Sequence, residues 1–213
     1  MRTNKTADQS ALDPRLLRAI AISLPAVLIA AGSAVAAPAL PKNITSQLPA
    51  GYAVKSFLRG LLDGDDKPDY LVAIHKPGER EAMQRGEKQA GRPILIFVQQ
   101  PDGNFKLAAR NDRVAFAIDE GGQCDPFDGE EESLAIRNRY FTVQNNVACG
   151  AHWTDYMTFR WDAQQGTWLF HKRIAESWGL NPKPDGEALV REYRRVTNAA
   201  PGAPVSFETF RPR

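Results

Sequence analysis

Residues 70–74 (YLVAI) and 94–98 (ILIFV) are unbroken apolar runs of strand length, each bounded by turn-forming or charged residues. Runs of that kind suit central strands buried on both faces. Pro101-Asp102-Gly103-Asn104 follows the second run and leads into 105–109, a hairpin with turn chemistry in place. Residues 52–58, 133–136, 140–144, 168–174 and 205–210 also read as short strands. In 153–161, Trp153, Met157, Phe159 and Trp161 fall on one side, and Thr154, Thr158 and Arg160 on the other. That is the period of a half-buried strand, broken only by Asp155. Asp162-Ala163-Gln164-Gln165-Gly166 turns it back onto the 168–174 strand.

Helical signals are fewer. Residues 79–90 contain helix formers without an apolar stripe and predict a charged surface insertion, partly helical. Residues 185–196 place Leu189, Tyr193 and Val196 at helical spacing and predict a short helix. The pattern as a whole predicts a mainly β fold: a single antiparallel sheet or sandwich-like domain over 51–213, with one or two short helices. A Pro-rich flexible lead-in over 37–50 precedes it.

The first 36 residues change the picture. Arg15 and Arg18 precede an uncharged run over 19–36 that ends in Ala34-Val35-Ala36. A basic flank, an apolar stretch and a small-residue site make a secretory signal peptide, with cleavage expected after Ala36. The alternative is a single membrane anchor, which Pro25, Gly32 and the absence of a basic stop-transfer flank disfavour. The expected location is periplasmic or secreted, with no integral membrane span after cleavage. Residues 1–36 hold four of the 27 basic and two of the 25 acidic residues, so 23 of each remain and the formal net charge is zero. A neutral chain without a clustered basic surface argues against nucleic acid as a partner. Cys124 and Cys149 are the two cysteines. In an oxidising compartment they predict a disulfide.

The segment Leu62-Asp63-Gly64-Asp65-Asp66-Lys67-Pro68-Asp69 carries the most chemistry. Carboxylates at Asp63, Asp65 and Asp69 around a turn glycine offer hard oxygen ligands of the kind Ca²⁺ takes. The same residues also suit a turn whose carboxylates cap its own backbone amides. The loop resembles the D-x-D-G-D-G-x-x-D loop of FG-GAP/VCBS-type repeats. With Leu107–Asn111 (L-A-A-R-N), Gly121-Gly122…Asp125-Pro126-Phe127 and the aromatic hairpin over 156–170, it is similar to a family of small exported bacterial proteins of unknown function. The resemblance implies export and a β fold and says little of activity. Leu61 replaces the first acid of the repeat and Asp66 its second glycine, so a weak or vestigial Ca²⁺ site is the expectation if any metal binds, with Asp66 in a glycine-like backbone conformation.

A second polar cluster holds Asp119, Glu120, Asp125 and Asp128, followed by Glu130-Glu131-Glu132. It predicts either an interaction loop for a protein partner or a solvated loop pinned by Cys124. His75, His152 and His171 share no ligand or dyad spacing. Serine-hydrolase, zinc-protease, phosphate-loop and C-x-x-C signatures are absent. No catalytic residue is assigned and no cofactor is expected beyond that Ca²⁺. The functional expectation is an exported, non-enzymatic binding module with a periplasmic protein partner, in a narrower form an immunity or inhibitor protein. The alternative is a hydrolase of cell-envelope polymers working with loop carboxylates.

Overall fold

The two apolar runs become the paired centre of one sheet. The structure is a computed structural model that describes residues 39–128, 133–183 and 186–212. The expected signal peptide over 1–36, and Glu130, Glu131 and Glu132, lie outside the described residues. The first sheet is the antiparallel meander β1 (Ala53–Gly60), β2 (Asp69–His75), β3 (Arg92–Gln99) and β4 (Phe105–Ala115). Leu71, Ala73, Ile94 and Ile96 point to one face, and Tyr70, Val72, Ile74, Leu95 and Phe97 to the other. Both faces are covered, as continuous apolar runs require.

The second sheet is a five-stranded meander: β5 (Leu134–Arg137), β6 (Tyr140–Val147), β7 (His152–Asp162), β8 (Thr167–Leu180) and β9 (Leu189–Asn198). Its inner face packs Phe141, Val143, Met157, Phe159 and Phe170 against the first sheet's Leu71, Ile94 and Ile96. The result is a mainly β, antiparallel fold as the alternation predicts, in its two-layer, sandwich-like form. Buried polar side chains stitch the layers together. The Asn145 side chain accepts from the Phe116 N–H (2.8 Å) and donates to the Val114 carbonyl (2.9 Å). The Trp168 indole donates to the Leu62 carbonyl (2.7 Å).

Three expectations need correction. The described part of the lead-in, 39–50, is not loose: it forms the short helix α1 (Lys42–Thr45). Ile44 there is fully buried against the first sheet's outer face, with Leu40 and Leu48 beside it. Residues 189–198 are the strand β9 and not a helix, because the long β8 offers its backbone groups along that edge from Lys172 to Leu180. Pairing satisfies more of those groups than an isolated short helix could, and tertiary context overrides the helical spacing. The segment 205–210 makes a single bridge, Ser206 to Leu169, and then a turn that drops Phe207 and Phe210 into the core. The 79–90 insertion is helical only over α2 (Glu79–Gln84).

Candidate functional site

The acidic β1–β2 loop turns its carboxylates onto its own backbone. Fully buried Asp69 accepts N–H bonds from Leu62 (3.0 Å), Asp63 (3.3 Å) and Gln99 (3.0 Å). Asp63 accepts from the Asp65 N–H (2.9 Å), and Asp65 from the Lys67 N–H (2.8 Å). Arg139, in the β5–β6 turn, donates to the Asp63 carbonyl (2.8 Å). Burial pushes the Asp63 and Asp69 carboxyls above their ordinary range, while these amide bonds pull the other way. Asp66 does not adopt the left-handed backbone a metal loop would ask of it: among the described residues only Asn138 and Arg139 do so without being glycine. The three aspartates thus adjoin one another without opening a shared oxygen cage. Among the described residues no group of three or more His, Cys, Asp or Glu is placed to hold a metal ion.

The second acidic loop lies at the opposite end of the first sheet, and its acids are engaged too. Asp119 accepts from the Gln89 N–H (3.1 Å) and Glu120 from the Ala117 N–H (2.6 Å). Asp125 grips Arg92 in a two-pronged pair (2.6 and 2.7 Å), and Arg92 is only 1% exposed. Arg92 also donates to Glu79 at 2.6 Å, with His75 Nδ1 at 3.3 Å from the same carboxylate but outside hydrogen-bond geometry. Lys55 bridges Asp125 (3.3 Å) and Asp128 (3.2 Å). Burial alone would raise the Asp125 carboxyl. The Arg92 hydrogen bonds, the Phe127 N–H and the charges of Arg92 and Lys55 outweigh it and hold the group below the usual carboxylate range. Cys124 and Cys149 are bonded as predicted, with Cα atoms 6.2 Å apart, tying this loop to the segment before β7. Sequence reasoning missed Arg92; its only signal is a lone cation at the head of the run RPILIFV.

A third region was legible only as fragments. The inner face of β8 and β9 extends past the first sheet and opens as a groove of about 660 Å³. Phe170 and Phe210, stacked with centroids 4.4 Å apart, close its deep end. Arg173, Tyr193, Arg195 and Arg211 line the rest, with no Asp or Glu among the described lining residues. Arg173 is held by buried Asp155 at 2.5–3.1 Å, which explains the polar break in the β7 alternation: the apolar core ends there. The hydrogen bonds and charge of Asp155 raise the Arg173 guanidinium above its ordinary value, against the opposing pull of burial. Arg195 makes no ion pair or side-chain hydrogen bond to the described residues. Tyr193, 48% exposed, lines both this groove and a shallow, open hollow of about 420 Å³ bordered by Phe116, Glu120 and Trp153. Glu120 thus places one acid of the second loop at the rim of this surface. Reading 185–196 as a helix hid the groove, since it takes a strand to bring Tyr193 and Arg195 onto one face.

The chain matches no family model, no curated protein and no solved structure. Among the described residues no helix is long and apolar enough to cross a membrane.

Proposed function

We propose that this chain is an exported, non-enzymatic binding module that engages a protein partner in the periplasm through the inner face of β8 and β9. An immunity or inhibitor protein is the narrower form of that reading. The groove carries it: a concave, partly aromatic surface with three arginines, two of which, Arg195 and Arg211, lack a counter-ion among the described residues. Concavity with a few convergent polar groups is the usual character of a binding site. The hydrolase alternative calls for two carboxylates facing a common cleft. The two acidic loops lie at opposite ends of the first sheet, and their carboxylates are occupied by amides and cations, which favours the binding module.

A photo-crosslinking residue placed at Tyr193 in the full chain, expressed in cells that export it, tests the reading. The expected result is one discrete adduct, with no adduct from the same residue at Lys106 on the exposed flank of β4. Absence of a Tyr193 adduct, or turnover of envelope polymers that Asp63→Asn abolishes, would overturn it.

A further inference from the structure

β9 is the edge of the second sheet, and its outer side pairs with no other strand among the described residues. Its ten residues span about 33 Å at strand rise. Such an edge presents a row of unpaired N–H and C=O groups, a template for a further strand. Val190, Tyr193 and Val196 are exposed along it. Proteins blunt such edges with short strands, prolines or charged side chains; this one is long and carries no proline, and its charges are three arginines against one glutamate, a protection that repels basic strands and not acidic ones.

Charge narrows the occupant. β9 contains Arg191, Arg194 and Arg195 against Glu192, a formal balance of +2. On the outer face Arg191 and Arg194 both donate to Glu176 (3.1 and 2.8 Å), two cations on one carboxylate. On the inner face Arg195 stands in a groove with Arg173 and Arg211 and no lining acid among the described residues. A second copy of this chain pairing β9 with β9 would set arginine rows against each other, which like-charge repulsion across strands disfavours. A strand with acids at every second position places them all on one face, and in inner-face register they meet Arg195 in the groove that has no lining acid among the described residues.

Resting on the binding-module reading, we propose that the partner presents an acidic, extended polypeptide segment that adds to β9 as a sixth strand and sets a carboxylate against Arg195. Main-chain hydrogen bonds supply the affinity of such pairing, and alternate side chains its specificity. With its acids on the inner face, the segment's alternate apolar side chains lie on the outer face, beside Val196. Because Arg195 is exposed, its contribution falls with rising salt.

The full chain is titrated calorimetrically with a decapeptide of alternating Glu and Val, and with its Lys/Val counterpart. Two further forms of the acidic peptide carry N-methyl groups along one edge or the other. The Glu/Val peptide is expected to bind, and the Lys/Val peptide at least about tenfold more weakly, a difference near 1.4 kcal/mol. One N-methylated form is expected to lose binding and the other to keep it. Arg195→Glu is expected to weaken the acidic peptide about tenfold or more at an unchanged melting temperature, and Arg195→Lys to restore most of the affinity. Equal binding of the two charge types, binding by both N-methylated forms, no effect of Arg195→Glu, or no binding by any peptide would each overturn the inference. A Tyr193 adduct in cells combined with such a failure leaves the binding-module reading standing with a partner of other chemistry. Loss of the adduct as well removes both.

Discussion

At the scale of single residues, the most consequential side chain is Arg92. A guanidinium removed from water costs several kcal/mol unless its donors are filled and its charge answered. Asp125 and Glu79 do both, with contacts of 2.6–3.3 Å. Asp125→Ala leaves that cation short of a partner and is expected to cost about 3–5 kcal/mol in denaturant unfolding. The double change Arg92→Met with Asp125→Leu is expected to cost less than Asp125→Ala alone, because no buried charge is then stranded. A double variant weaker than the single one would show that the pair does more than neutralise itself. Asp69 makes a similar case with backbone donors. Asp69→Asn offers one acceptor oxygen where the carboxylate had two, and is expected to cost about 1–3 kcal/mol as amides of Leu62, Asp63 or Gln99 lose their acceptor. An unchanged unfolding midpoint would refute that role.

At the scale of elements, the two loops are held by different physics. The 117–128 loop is closed covalently, and a bridge across a sequence separation of 25 restricts the unfolded chain by roughly 3 kcal/mol. The Cys124→Ser, Cys149→Ser double variant is expected to lose about that much, measured by urea unfolding against the oxidised protein. The 61–69 loop is closed by hydrogen bonds from its own amides. Its carboxylates already have donors, so millimolar Ca²⁺ is expected to leave the melting temperature unchanged. Leu61, 38% exposed, can accept a charge without entering the core. Leu61→Asp is therefore expected to fold and to remain insensitive to Ca²⁺. A site saturated at 100 times its dissociation constant would stabilise by about 2.7 kcal/mol, so a rise in melting temperature would be plain and would reinstate a metal loop.

At the scale of the whole molecule, acid stability integrates the buried Asp69 and Asp125 and the half-buried Asp63, and they oppose one another. Asp125 has a folded pKa below its unfolded value. Its contribution is complete above the unfolded value of about 3.9 and is lost as pH falls through the folded one. Asp63 and Asp69 are raised in the folded state. Their protonation favours folding, so stability from them is gained as pH falls through their raised values toward the unfolded ones. The expected profile has its maximum on the mildly acidic side and a steep loss below about pH 4. Urea midpoints against pH would check it, and Asp125→Asn should flatten the acid limb. An identical limb in the variant would assign acid unfolding to other groups.

Local pattern was enough to determine a good deal of this protein. Alternation and apolar runs identified every strand of the two meanders except β9, the turns at 101–104 and 162–166 and the mainly β antiparallel class, because side-chain period and turn chemistry are short-range properties of the backbone. Two cysteines in a chain with an export-like N-terminus predicted the bridge. Everything that depended on a partner distant in sequence was decided only in three dimensions. Residues 189–198 have a helical spacing of apolar positions, yet the open edge of β8 made them a strand. Asp155 looked like a flaw in an alternating strand until Arg173, 18 residues on, answered its charge. Arg92 needed Asp125, 33 residues away, to be tolerable in the interior. The groove exists because a five-stranded sheet outreaches a four-stranded one, and strand overhang is written in no local window of sequence.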